Sequence, residues 1–128
     1  PSNWEVSLDM IDLIKEKLSN FSNIETELSP FFIKPNTSKE LMLKKYPNTD
    51  FSSVIPSLIR KFETHQVISK EILNEIMNSV SSETGCKGKN LWQPVRFVIT
   101  GQDHGPDLAS FIAIIGLEEC IQRFKNAQ

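Results

Sequence analysis

Apolar residues return at three- and four-residue steps along most of the 128-residue chain, the period of a helix that buries one face. Trp4, Leu8, Ile11, Ile14 and Leu18 form the first such stripe, with Glu5, Asp9 and Asp12 near its start, where the helix dipole favours negative charge. The pattern predicts a helix there, ended by Asn20 or Ser22. Asn23 is placed to cap a short second helix that runs towards Pro30 and the paired Phe31 and Phe32. Pro35 and Asn36 make the stretch from Lys34 to Ser38 a loop between two helical packages, because proline lacks a donor and restricts the residue before it.

Beyond that loop, Ser38 can cap a helix through Tyr46, stopped by Pro47 and Asn48. Val54, Ile55, Leu58, Ile59 and Phe62 share one face of a segment from Asp50 to His65, in which Pro56 marks either a start or a kink. Ser69, with Glu71 and Glu75, opens a helix striped by Ile72, Leu73, Ile76, Met77 and Val80 and ending before Gly85. Between Leu91 and Thr100 the signals divide. Asn90 as cap, Pro94 in the first turns and Gly101 as a left-handed stop suit a helix, whereas Val95, Phe97, Val98 and Ile99 favour a strand, so local propensity leaves both open. Residues Asp107 to Ile115 and Leu117 to Asn126 read as two helices joined at Gly116, the first nearly buried. With no hairpin-like strand pairs elsewhere, the expected class is all-α, divided into residues 1–34 and 35–128.

Composition narrows the function. A chain with 39% hydrophobic and 23% charged residues is an ordinary folded domain, and its longest apolar stretch, Phe111 to Leu117, is far too short for a bilayer, so no membrane partner is expected. Cys86 and Cys120 match neither zinc spacing nor a disulfide scaffold, which points to reduced thiols in a cytoplasmic protein without a metal site. The chain opens on Pro1 with no basic-then-apolar leader, as expected of a piece of a longer protein. A net charge of −2 gives no overall basic footprint, so any nucleic-acid contact has to be local. The run from Cys86 to Gln102 qualifies: it holds Lys87, Lys89 and Arg96 and no acid before Asp103.

Unstacked RNA bases are read by forked donors, amides and flat apolar surfaces. Arg96 and Gln93 supply the first two within one helical turn, while Lys87 and Lys89 around Gly88 suit phosphates and Trp92 suits either a stacked base or, more often at the head of an apolar segment, the core. Asp103 beside His104 lacks a nucleophile and does not make a catalytic pair, and His65 reads as a charge partner at a helix end. A competing reading is a protein-interaction module whose exposed apolar face around Leu91, Trp92 and Phe97 docks a partner helix.

The passage Lys87, Gly88, Lys89, Asn90, Leu91, Trp92, Gln93, Pro94, Val95, Arg96, followed by Ile99, Thr100, Gly101 and by His104, Gly105, Pro106, Asp107, Leu108, resembles the C-terminal signature of bacterial glutamyl-tRNA synthetases. The likeness continues through Ile115, Gly116, Leu117, Glu118, Glu119 to Arg123 and reaches back to Leu13–Phe32, with least support between Lys34 and Ser82. It implies a helical cage of two subdomains that grips the anticodon loop of glutamate tRNA, in a monomeric enzyme whose class I half joins glutamate to tRNA using ATP and Mg²⁺. Neither H-I-G-H nor K-M-S-K-S type motifs occur in these 128 residues, so no catalytic residue and no cofactor is expected here. By the same resemblance Gln93 and Arg96 match base-reading residues, and Gly105, Pro106 and Leu108 match a turn on which a base packs. Lys17 matches a position where some members carry an arginine that discriminates the third anticodon base; lysine lacks that planar two-point contact.

Overall fold

The structure, a computed structural model, describes residues 4–15, 24–102, 105 and 107–128. Among the described residues there are helices and no strands: α1 (Leu8–Ile14), α2 (Ile24–Phe32), α3 (Lys39–Lys45), α4 (Phe51–Glu63), α5 (Lys70–Thr84), α6 (Lys89–Thr100), α7 (Leu108–Ile115) and α8 (Leu117–Asn126). No helix among them is long and apolar enough to cross a membrane.

Local chemistry sets most helix ends. Ser38, Ser69 and Asp107 accept the backbone N–H groups of Leu41, Ile72 and Ser110, satisfying donors that have no partner inside the helix. Gly85 and Gly101 close α5 and α6 at φ +80° and +81°, a left-handed backbone that only glycine adopts without strain. Two predicted starts move. Ser7 caps α1 by accepting from Met10 N at 3.2 Å, so Trp4 lies before the helix and stacks on Phe32 at 4.7 Å instead of opening the stripe. Asn90 is not the cap of α6; Gly88 is, at φ +62°, with the Leu91 and Trp92 amides donating to its carbonyl. Asn23, Leu18, Asn20 and Ser22 lie outside the described residues.

The open question between Leu91 and Thr100 resolves as helix α6, despite its β-formers. Leu91, Val95, Val98 and Ile99 all fall on its inner face and are no more than 1% exposed; tertiary burial overrides a propensity difference of at most about 1 kcal/mol. Pro56 neither starts nor ends α4, which runs through it.

One apolar core runs through the molecule, from Ile14, Leu28 and Phe31 to Phe111 and Phe124. Helix α4 packs against α5 and α8, and α1 and α2 lean on α7. Phe31 stacks on Phe111 at 4.7 Å, and Phe62 meets Phe124 edge-on at 4.9 Å. Within this core lies a guanidinium: Arg123 is 1% exposed. Its Nε donates to Glu119 at 2.9 Å, and Nη1 donates to the carbonyls of Pro30 at 2.8 Å and Ile99 at 2.5 Å. One side chain of α8 therefore joins the last turns of α2 and α6, whose carbonyl-rich ends favour a cation. Burial works against the Glu119 carboxylate, yet Arg123 and then Lys34, 3.4 Å away, hold it below its ordinary range.

Candidate nucleic-acid interface

Helix α6 presents an outer strip opposite its buried face. Lys89 and Gln93 are exposed, Trp92, Arg96 and Phe97 are half-buried, and Lys87 is exposed just before the helix. Gln93 and Arg96 are three residues apart, so they lie on neighbouring positions of one face. Behind the strip, Pro94 is buried in the first half of α6 and stiffens it. Burial pulls the Arg96 guanidinium down from its ordinary value, while Asp107 opposes that shift; the group stays charged, as arginine does in proteins.

That electrostatic link is the first thing the sequence hides. The run around Arg96 is free of acids along the chain, but folding sets the α7 cap beside it. Asp107 is held below the usual carboxylate range chiefly by Ser110, whose hydroxyl donates at 2.7 Å, with smaller contributions from Lys70 and Arg96. Asp107, the cap of α7, thus interacts electrostatically with Arg96 on α6 and with Lys70 at the start of α5. Lys70 carried no signal in the sequence, because its nearness to the site depends on how α5 packs.

Other expected residues are placed differently. Leu108 is 2% exposed, the first residue of α7 and part of the core; its side chain therefore is not a surface on which a base can pack, and what the turn presents is exposed Gly105, at φ +134°. Lys17, Pro106, Asp103 and His104 lie outside the described residues. Leu91 is 1% exposed, and Trp92 and Phe97 pack against the core, so the exposed apolar face needed for docking a partner helix does not form. His65 sits at the end of α4 with Nδ1 3.0 Å from the Lys61 carbonyl.

The cysteines offer no reactive centre. Burial pushes the thiol of Cys120 strongly up, and burial raises that of Cys86, whose Sγ donates to the Asn90 carbonyl at 3.2 Å. Among the described residues no group of three or more His, Cys, Asp or Glu side chains could hold a metal ion. A cleft of about 420 Å³ between α3 and the start of α4, lined by Met42, Leu43, Phe51 and Pro56, takes no residue from α6.

With this geometry in view, comparison with known proteins is specific. A family model described as an anticodon binding domain matches residues 3–128. The chain is 33% identical over 124 residues to a glutamate–tRNA ligase of Finegoldia magna, covering 94% of the chain and 24% of that protein. It is likewise 33% identical over 120 residues to the glutamate–tRNA ligase of Bacillus subtilis, covering 91% and 24%. The chain thus spans about a quarter of the length of these relatives. In three dimensions it superposes on a glutamate tRNA ligase from Elizabethkingia meningosepticum with a TM-score of 0.79 and 25% identity, over 98% of the chain and 26% of that protein.

Proposed function

The chain belongs to the anticodon-binding domain family, and from that premise we propose that its outer α6 face reads the anticodon loop of glutamate tRNA on behalf of a glutamate–tRNA ligase. The observation that carries this reading is the placement of Gln93 and Arg96 on one outward strip of α6, with Lys87 and Lys89 at its head and Asp107, the α7 cap, within electrostatic reach of Arg96.

Phosphate contacts position an RNA and base contacts specify it. Lys87 and Lys89 are point charges for the backbone, whereas the Arg96 fork and the Gln93 amide suit base edges, for which two parallel bonds discriminate by about 1 to 3 kcal/mol. Burial of Arg96 strengthens such a contact, since less water competes for its donors. On this reading Gly105 and Pro106 contact a splayed base, next to Leu108, which is anchored in the core. Lys17 contributes from residues 1–34, which we assign to an upstream subdomain packed on 35–128 through the shared core. On this reading the protein is monomeric and cytoplasmic, and ATP and Mg²⁺ serve ligase chemistry in which these residues take no step.

Titration of the isotope-labelled chain with the anticodon stem-loop of glutamate tRNA, and with loops altered at each anticodon base, tests the reading. Shifts concentrated at Gln93, Arg96 and Gly105 that change with the base support it; an identical response to every loop defeats base recognition. Arg96→Lys is expected to weaken binding by about 1 to 3 kcal/mol for the cognate loop alone. Lys17→Arg is expected to sharpen selection at the third base, and unchanged selectivity would remove Lys17 from the site.

A further inference from the structure

We propose that α3 adds a second wall to this interface, with Lys45 contacting a backbone phosphate of the bound RNA from a seat formed by Phe97 and Tyr46. The proposal rests on the anticodon reading above and extends it to a helix that no motif singled out.

Lys45 is exposed in the last turn of α3, yet its ammonium is not left to wander: Nζ lies 5.2 Å from the Phe97 ring centroid and 5.7 Å from that of Tyr46. Both distances are within the ~6 Å over which an aromatic face attracts a cation. The seat itself is fixed. Tyr46 is 9% exposed and meets Phe97 and Phe51 edge-on at 6.0 and 6.4 Å, while Met42, 2% exposed, anchors α3 below it.

Position ties this cation to the reading strip. Phe97 follows Gln93 by four residues, about 40° around α6, whereas Arg96 lies about 60° to the other side of Gln93. Lys45 therefore flanks one edge of Gln93, and Arg96 with Asp107 flanks the other. Lys89 and Phe97 are also about 12 Å apart along the helix axis, so cations bracket Gln93 lengthwise.

Chemistry decides what such a cation would hold. Aromatic rings orient an ammonium, so part of the ordering entropy of a long side chain is already lost before RNA arrives. A compact point charge lacks the planar fork for base edges and suits a phosphate oxygen. Lys45 is thus assigned to sequence-independent positioning, alongside Lys87 and Lys89, and Phe97 to holding it there.

The test is a titration of the chain with the anticodon stem-loop of glutamate tRNA across a range of salt concentrations, with melting curves to verify folding. Lys45→Met keeps the aliphatic stem and removes the charge; it is expected to weaken binding about three- to tenfold at low salt and to reduce the slope of log K against log salt by about 0.7, equally for loops with altered anticodon bases. Phe97→Leu keeps the charge but loses the seat, and should give a smaller loss with an unchanged slope. Lys44→Met, about 100° around α3, controls for bulk charge; a loss equal to that of Lys45→Met would overturn the seat. If Lys45→Met binds with parental affinity and slope while Gln93→Ala and Arg96→Lys weaken binding, the second wall is wrong and the anticodon reading stands. No binding by the parent chain would overturn both.

Discussion

Two arginines, Arg123 and Arg96, occupy opposite situations on the two sides of α6. At the inner junction, Arg123 is 1% exposed and directs Nε at Glu119 and Nη1 at the carbonyls of Pro30 and Ile99. On the outer strip, Arg96 is only half-buried, and the cap of the next helix, Asp107, is among its electrostatic neighbours. Residue type is the same in both cases, so the role follows from surroundings: donors directed at helix-end carbonyls hold elements together, whereas a partly dried, partly open guanidinium is suited to a ligand.

The largest expected effect that bears on this contrast is Arg123→Met. It leaves Glu119 without its buried partner and two carbonyls without a donor, and should cost about 3 to 5 kcal/mol in urea unfolding. Arg96→Met should change stability by less than about 1 kcal/mol. Equal stability losses for the two variants would erase the distinction.

Gly101, where α6 ends between the two regions, comes next. Gly101→Ala forces a Cβ into φ +81°, and the nearest atoms, on Pro35, stand at an ordinary 3.5 Å, so the cost is backbone strain alone, about 1 to 2 kcal/mol in thermal or urea unfolding. Asp107→Ala removes the α7 cap and should cost about 1 kcal/mol, whereas Asp107→Asn keeps a capping oxygen and should cost only a few tenths of that. Comparing RNA affinity in these two variants separates the cap from the charge beside Arg96: if the charge orients Arg96, both lose affinity, and if only the cap matters, Asp107→Asn binds like the parent.

The smallest effect is in pH. The Glu119 carboxylate is depressed below its ordinary 4.5 by Arg123 and Lys34, which outweigh burial. A depressed acid stabilises the fold fully above its unfolded value and loses that contribution as pH falls through the folded value. The stability difference between the parent and Glu119→Gln should therefore be greatest above 4.5 and shrink in acid. A difference that stays constant with pH would show that Glu119 acts by packing alone.

Local chemistry made most of the helices legible. Ser38, Ser69, Gly85, Gly101, Asp107 and Gly116 act on atoms within about four residues of themselves, so their caps and stops can be read along the chain. Gln93 and Arg96 were equally legible as a pair, because helical spacing alone puts them on one face. Trp4 was misplaced in the first helix because Ser7, a stronger local signal, caps α1 after it, and the burial of Leu108 was not legible because a motif records residue identity and not the direction of a side chain.

What the sequence by itself determined is thus the all-helical class, the helix boundaries set by caps and glycines, and the shared face of Gln93 and Arg96 on α6. Tertiary structure alone decided that the β-formers of α6 would be helical, that Leu108 and Arg123 would be buried, that Asp107 would stand beside Arg96, and that Lys45 would lie over Phe97. The physical reason is range: a cap or a turn is settled by neighbours along the chain, whereas burial and electrostatic environment are settled by partners as distant as Pro30 is from Arg123, which meet only once the core has closed.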